Sequence, residues 1–318
     1  MKIWMIVAAS LVALGLIVFV VAFSIMGFDF KELEMRKCTQ NAYAVTEGFT
    51  NVSIVTDTAD ITILPSFDGQ VRVECLERAK KLHSVSASDG TLSIALNDTR
   101  AWYDYISFFS FNSPEITVYL PSGQYGDLCI KTSTGDIAIE KDFSFASMDV
   151  AVTTGHVTSE ASVIGELKIK TSTGDIDLKN LSAGSLSLNV SSGSIDIESV
   201  ACAHDVYTRV STGKINIADL TCEGLTSIGT TGDLIMENVT VSGLMSVKRD
   251  TGDFRFTRCD AEQVEITTDT GDVKGSFRTD KIVWAKTDTG RVNVPKSTVG
   301  GRCEITTDTG DIRIEIMP

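Results

Sequence analysis

Residues 167–178 read Leu167-Lys168-Ile169-Lys170-Thr171-Ser172-Thr173-Gly174-Asp175-Ile176-Asp177-Leu178, and they decide the fold. Apolar side chains alternate on both sides of a Thr-Gly-Asp step, the pattern of a strand with one buried and one wet face. Versions of the phrase recur along the chain. Their glycines are Gly135, Gly155, Gly174, Gly193, Gly213, Gly232, Gly252, Gly271, Gly290 and Gly310. A fixed period of about 20 residues is the signature of a solenoid, in which every repeat adds one coil to a stack.

Aligned on these glycines, the sequence becomes a set of columns. Seven residues before the glycine stand Leu128, Met148, Leu167, Leu186, Val206, Leu225, Met245, Val264, Val283 and Cys303. Two residues after it the column runs from Ile137 to Ile312 without a polar exception. The positions five before and four after are mostly apolar as well. Inward positions on the two sides differ by an odd number, so the chain must bend at the Thr-Gly-Asp step. Glycine permits the bend because it accepts positive φ. A second corner is expected ten or eleven residues later, at Gly165, Gly184, Gly224, Gly243 and Gly300-Gly301. Short strands without any intervening helical pattern exclude alternating strands and helices. The expected architecture is all-β: a single-chain parallel β-solenoid, or β-helix, of about ten 19–20-residue rungs over residues 126–318. At about 4.8 Å per rung it is a rod on the order of 50 Å long.

The remaining sequence divides by composition. From Ile3 to Phe28 there is no charge, and residues 1–28 are long enough to cross a bilayer, so a single-pass transmembrane helix is expected ahead of the rod. A cleaved signal peptide is the rival reading. Residues 29–48 are polar and mixed in charge, a juxtamembrane linker. Residues 49–125 alternate like strands and form an irregular β cap over the first open edge of the solenoid. Within the cap, Thr58-Ala59-Asp60-Ile61 resembles a degenerate rung, and Ser88-Asp89-Gly90-Thr91-Leu92 a second one. The aromatic run Trp102, Tyr103, Tyr105, Phe108, Phe109 and Phe111 suits a plug over the core, with an exposed recognition loop as the alternative. Lys2 favours a cytoplasmic N-terminus, which leaves the solenoid outside the cell membrane.

The net charge is −14, from 28 basic and 42 acidic residues, which argues against nucleic acid and its demand for a basic footprint. The carboxylates one residue after the glycine (Asp136, Asp175, Asp233, Asp253, Asp272, Asp311) raise the question of calcium. The column is interrupted by His156, Ser194, Lys214 and Arg291, however, and aspartate is an ordinary turn residue. No cofactor is expected. Four residues before the glycine, on the outward face, Lys131, Lys170, Arg209, Lys248 and Lys286 occupy every second rung. Avoidance of stacked like charge accounts for the spacing; a periodic strip for a repeating cell-wall polymer is the sharper reading. Seven cysteines are an odd count. Cys202 and Cys222 share one column on adjacent rungs, about 4.8 Å apart by strand spacing and within disulfide reach; two stacked thiols are the alternative. Only three histidines exist, at unrelated columns. The intervals between glycines are too short to carry the long loops that would wall a cleft. An enzyme is not expected.

The stretch EITVYLPSGQYGDLCIKTSTGDIAIE, residues 115–140, with its strand ending at Leu120-Pro121 and the Thr-Gly-Asp rungs that follow, resembles the bacterial "putative adhesin" family of β-strand-repeat proteins. The resemblance covers roughly residues 49–318. It implies a β-repeat fold behind a membrane anchor and a non-enzymatic role at the cell surface, as an adhesin or an envelope-associated binding or scaffold element. A regulatory partner of a membrane stress-sensing system is the alternative it suggests, and a glycan-active enzyme is disfavoured.

Overall fold

The computed structural model describes residues 10–18, 20–21, 38–78, 81–98 and 113–317. Residues 10–18 and 20–21 are helical and exposed. No helix among the described residues is long and apolar enough to cross a membrane, and most of the expected span 1–28 falls outside them, as does the aromatic run 102–111.

From Gly123 onward the chain is a stack of parallel rungs, which Asn51–Val55 and Asp60–Pro65 join at its start. A typical one runs along Ser162–Thr173, bends at Gly174-Asp175, leaves along Ile176–Lys179, and turns again at Asn180 into Ser182–Ser192 of the next rung. Neighbours stack in strict register: Leu167 faces Leu186, Ile169 faces Leu188, and Ile176 faces Ile195. The inward columns found by aligning the glycines are buried from Leu128 to Cys303 and from Ile137 to Ile312, except in the rung of Gly290, where Val283 is only partly buried. Val292, in the outermost rung, is 44% exposed. A single rung cannot bury its apolar face, so stacking is the folding reaction.

Although Gly300, with φ 105°, turns the chain into Gly301–Thr309 as expected, the second bend differs from expectation in most rungs. It falls six or seven residues after the corner glycine, at Asp142, Asn180, Ser199, Asp219, Asn238 and Arg258, each with φ between 52° and 79°. Polar residues with short side chains visit the left-handed region more readily than others, which fits all of these except Arg258. At Gly165 and Gly243 the strand instead bulges, with register shifts between Val163 and Glu166 and between Val241 and Leu244.

Rung order also departs from chain order, at both ends. The rung of Gly310 lies between those of Gly271 and Gly290: Thr270 pairs with Thr309, and Thr309 with Thr289. The same exchange places Ile312 between Val273 and Val292. At the other end, Asn51–Val55 lies between Thr91–Asp98 and Gly123–Thr134, and Asp60–Pro65 lies between Glu115–Leu120 and Ile137–Ile139. The degenerate rung at Thr58-Ala59-Asp60 is therefore genuine, with Thr58 bridged to Thr134. Asp89-Gly90 is not a rung corner. Both residues have positive φ (50° and 74°) and close an antiparallel hairpin between Lys81–Ser88 and Thr91–Asp98. Part of the expected linker is strand as well: Cys38–Val45 pairs antiparallel with Val71–Arg78, which pairs in turn with Glu115–Leu120.

The corner glycine is needed twice over. Gly213 has φ 140°, and a Cβ placed on it would lie 1.8 Å from the carbonyl oxygen of Gly193 in the rung before. We expect Gly213→Val to lower stability by at least about 3 kcal/mol, from backbone strain together with an overlap that rigid backbone cannot relieve. Chemical denaturation checks this, and an unchanged midpoint contradicts it.

Candidate functional site

The aspartates after the glycines do not face solvent as free ligands. Each holds the backbone of the rung stacked on it. Asp60 Oδ1 accepts from the N–H of Asp136 at 2.9 Å, and Asp136 Oδ1 from the N–H of His156 at 2.8 Å. His156 replaces a carboxylate by accepting at Nδ1 from the N–H of Asp175, whose own Oδ1 accepts from Ser194. After a gap at Ser194 and Lys214 the ladder resumes. Asp233 accepts from Asp253, Asp253 from Asp272, Asp272 from Asp311, and Asp311 from Arg291, all at 2.8–3.0 Å. The last two steps follow the exchanged rung order. Arg291 sits in the end rung, where no further N–H awaits an acceptor, so its departure from aspartate leaves the ladder intact.

The second carboxylate oxygens of Asp253 and Asp272 are occupied too. Asp253 Oδ2 meets Arg255 at 2.5 Å, and Asp272 Oδ2 meets Lys274 at 2.6 Å. The hydrogen bond from Lys274, followed by that from the Asp311 N–H, holds the Asp272 carboxyl below the usual carboxylate range. Oxygens engaged in this way leave a poor donor set for calcium, which takes six to eight oxygens.

The outward basic column is assembled as expected over most of its length. Lys131, Lys170, Arg209, Lys248 and Lys286 are all exposed. Ala151 separates Lys131 from Lys170, Asn189 separates Lys170 from Arg209, and Ile228 separates Arg209 from Lys248. The alternation fails at the end. The exchange puts two threonines, Thr267 and Thr306, between Lys248 and Lys286. Lys286 also pairs with Asp288 at 3.0 Å.

Cys202 and Cys222 lie where the period puts them, since their neighbours Ala201 and Thr221 are partners. Both thiols are free and buried. Cys202 Sγ donates to the carbonyl of Gly184 at 3.3 Å, and burial pushes the Cys222 thiol up to about 12.

One buried charge does not show in the apolar columns. Arg249, three residues before Gly252, points into the core and is 1% exposed. Its Nη2 donates to Ser227 Oγ at 3.0 Å, whereas Nε and Nη1 have no partner. Burial lowers its pKa to about 10. Gly229, in the same column one rung earlier, makes room for it: a Cβ there would lie 1.5 Å from Nη1. A glycine in a column otherwise held by Val and Thr was the available signal. Beside the exchanged rungs an open depression is lined by Asp260, Arg278, Thr279 and Lys281 among others. Its cations are already engaged, Lys281 by Asp260 and Thr279, and Arg278 by Asn238 and Thr240.

A protein-family model described as Toastrack DUF4097 matches residues 49–208 and again 201–317. Among solved structures, the chain is similar to a putative adhesin from Bacteroides fragilis, at 13% identity and TM-score 0.43, covering 88% of this chain and 97% of that one. It is similar to a putative adhesin from Parabacteroides distasonis at 14% identity and TM-score 0.45, with the same coverages. It is also similar to a putative lipid binding protein from Parabacteroides distasonis at 13% identity and TM-score 0.43, covering 87% and 97%. No curated protein matches the chain.

We expect Asp253→Ala, which strands the N–H of Asp272, to cost about 1 kcal/mol, and Asp253→Asn to cost less because its amide oxygen still accepts. Because the Asp272 pKa is depressed, its contribution is complete above the unfolded value near about 4 and is lost as pH falls through the lower folded value. Added calcium should leave the melting temperature unchanged. Thermal melts of the three proteins check all of this, and a calcium-dependent rise contradicts the ladder account.

Proposed function

The chain belongs to the Toastrack DUF4097 family, and we propose that it is a non-enzymatic binding or scaffolding rod of the cell surface. On this reading residues 1–28 hold it in the cell membrane as a single-pass anchor, with the solenoid outside. One observation carries the reading. The corner carboxylates are engaged by the rung-to-rung ladder, while an outward column keeps exposed cations at regular intervals over most of the rod. From Lys131 to Lys248 these recur every two rungs, about 9.6 Å apart. A long polyanion of repeating charge, such as a wall teichoic acid, can meet several of them at once, and multivalent contact compensates for weak individual pairs. Rungs this short leave no long loops to enclose a substrate, which favours a binding surface over an enzyme.

Two measurements test the proposal. The full chain in detergent should be retained by wall fractions carrying anionic polymer, and a Lys170→Glu, Arg209→Glu double variant should lose retention without a change in melting temperature. Equal retention of both proteins contradicts the binding strip, and no retention of either moves the role to a protein partner. If the solenoid faces an oxidising exterior, peptide mapping after alkylation in the native membrane should recover a linked Cys202–Cys222 peptide. Free thiols at both sites remove that support for an exterior location.

A further inference from the structure

We propose that the N-terminal cap contains a buried transition-metal site, suited to zinc, formed by Cys75, Glu77 and His83. Cys75 and Glu77 are two residues apart on the strand Val71–Arg78 and point inward on the same face. His83 comes from the next strand, Lys81–Ser88, which returns antiparallel with Arg78 opposite Lys81. The sulfur, a carboxylate oxygen and a ring nitrogen lie within 4.8 Å of one another. A zinc ion bound 2.0–2.3 Å from each donor needs donors roughly 3.3–3.8 Å apart, so small side-chain rotations suffice.

The surroundings are built for such an ion in three respects. First, Cys75 and Glu77 are 0% exposed and His83 is 4% exposed. The Asn41 amide and the His83 backbone N–H already donate to the buried Glu77 carboxylate, but neither carries charge, and a divalent ion supplies the compensating positive charge. Second, each donor is oriented by a partner behind it. Glu77 Oε2 accepts from Asn41 Nδ2 at 2.6 Å, and His83 Nε2 meets Thr56 Oγ1 at 2.8 Å, which leaves Nδ1 facing Glu77 Oε1 at 2.9 Å. Outer partners of this kind are what fix the tautomer and direction of metal-bound histidine. Third, the Thr56 hydroxyl can donate or accept. Without metal, Nδ1–H donates to Glu77 and Nε2 accepts from Thr56. With metal, Nδ1 becomes the ligand and Nε2–H donates to Thr56. The Cys75 thiol proton passes to solvent on binding, and a water completes the tetrahedron. The mixed sulfur, nitrogen and oxygen set selects zinc over calcium or magnesium, which take oxygen alone.

The site lies where Cys38–Val45, Val71–Arg78 and the hairpin 81–98 close over the first rungs, so occupancy would tie together the three pieces of the cap. The full chain, stripped with a chelator and then loaded with zinc and gel-filtered, should retain one ion per molecule by elemental analysis. Cobalt loading should give a thiolate-to-cobalt charge-transfer absorption. Cys75→Ser should abolish that absorption, Cys303→Ser should leave it intact, and Asn41→Ala, which removes only an outer partner, should weaken zinc by about 10- to 100-fold. Zinc retention in folded wild type no greater than in Cys75→Ser, or cobalt uptake without the thiolate absorption, would overturn the site and leave a metal-free hydrogen-bonded cluster.

Discussion

The structure depends on how closely two backbones approach at the Thr-Gly-Asp corner. A Cβ on any corner glycine from Gly135 to Gly310 would sit 1.8–2.2 Å from a carbonyl oxygen of the neighbouring rung. Hydrogen bonds bind the same place, for example Gly213 N–H to the Thr231 carbonyl at 2.9 Å. Rungs can nest this tightly only when corner lies on corner. Register follows, and from register come the columns, since each inward residue then meets its own kind above and below. Apolar columns merge into one continuous core, and acidic corner residues become a ladder because each carboxylate falls beside the next backbone N–H.

That ladder alters what the acids mean. Stacked carboxylates would repel one another as free groups, but each here accepts a backbone proton and several also meet a cation. The aspartate in the repeat is thus a structural device. Arg249 shows the opposite case. A guanidinium with two unpartnered nitrogens inside the core is destabilising, and the rod tolerates it through a donor contact to Ser227 and the missing side chain at Gly229.

Much of this was legible because solenoid contacts are local in column space. The period, the buried columns, the glycine corner, the adjacency of Cys202 and Cys222 and the rung hidden in Thr58-Ala59-Asp60 all follow from alignment alone. Rung order does not. Rungs with the same columns are nearly interchangeable as neighbours, so nothing in the alternation says that Gly310 lies between Gly271 and Gly290. Arg291 in the aspartate column is no guide, because Ser194 and Lys214 depart from aspartate in interior rungs, and Val292 matches the buried Val157 and Val273 of its own column. Asp89-Gly90 misleads for a related reason, because a hairpin turn and a rung corner both require positive φ next to an aspartate. The Cys75–Glu77–His83 cluster was beyond reach, since it needs the antiparallel pairing of strands outside the repeat.

The corner-on-corner account makes its sharpest commitment where chain order and rung order disagree. Paired cysteines placed at Thr270 and Thr309, or at Thr270 and Thr289, read that order directly through the linked peptides recovered after mild oxidation. The account predicts a ready link between 270 and 309, which are direct partners, and none between 270 and 289, which the intervening rung separates. A dominant 270–289 link would contradict it.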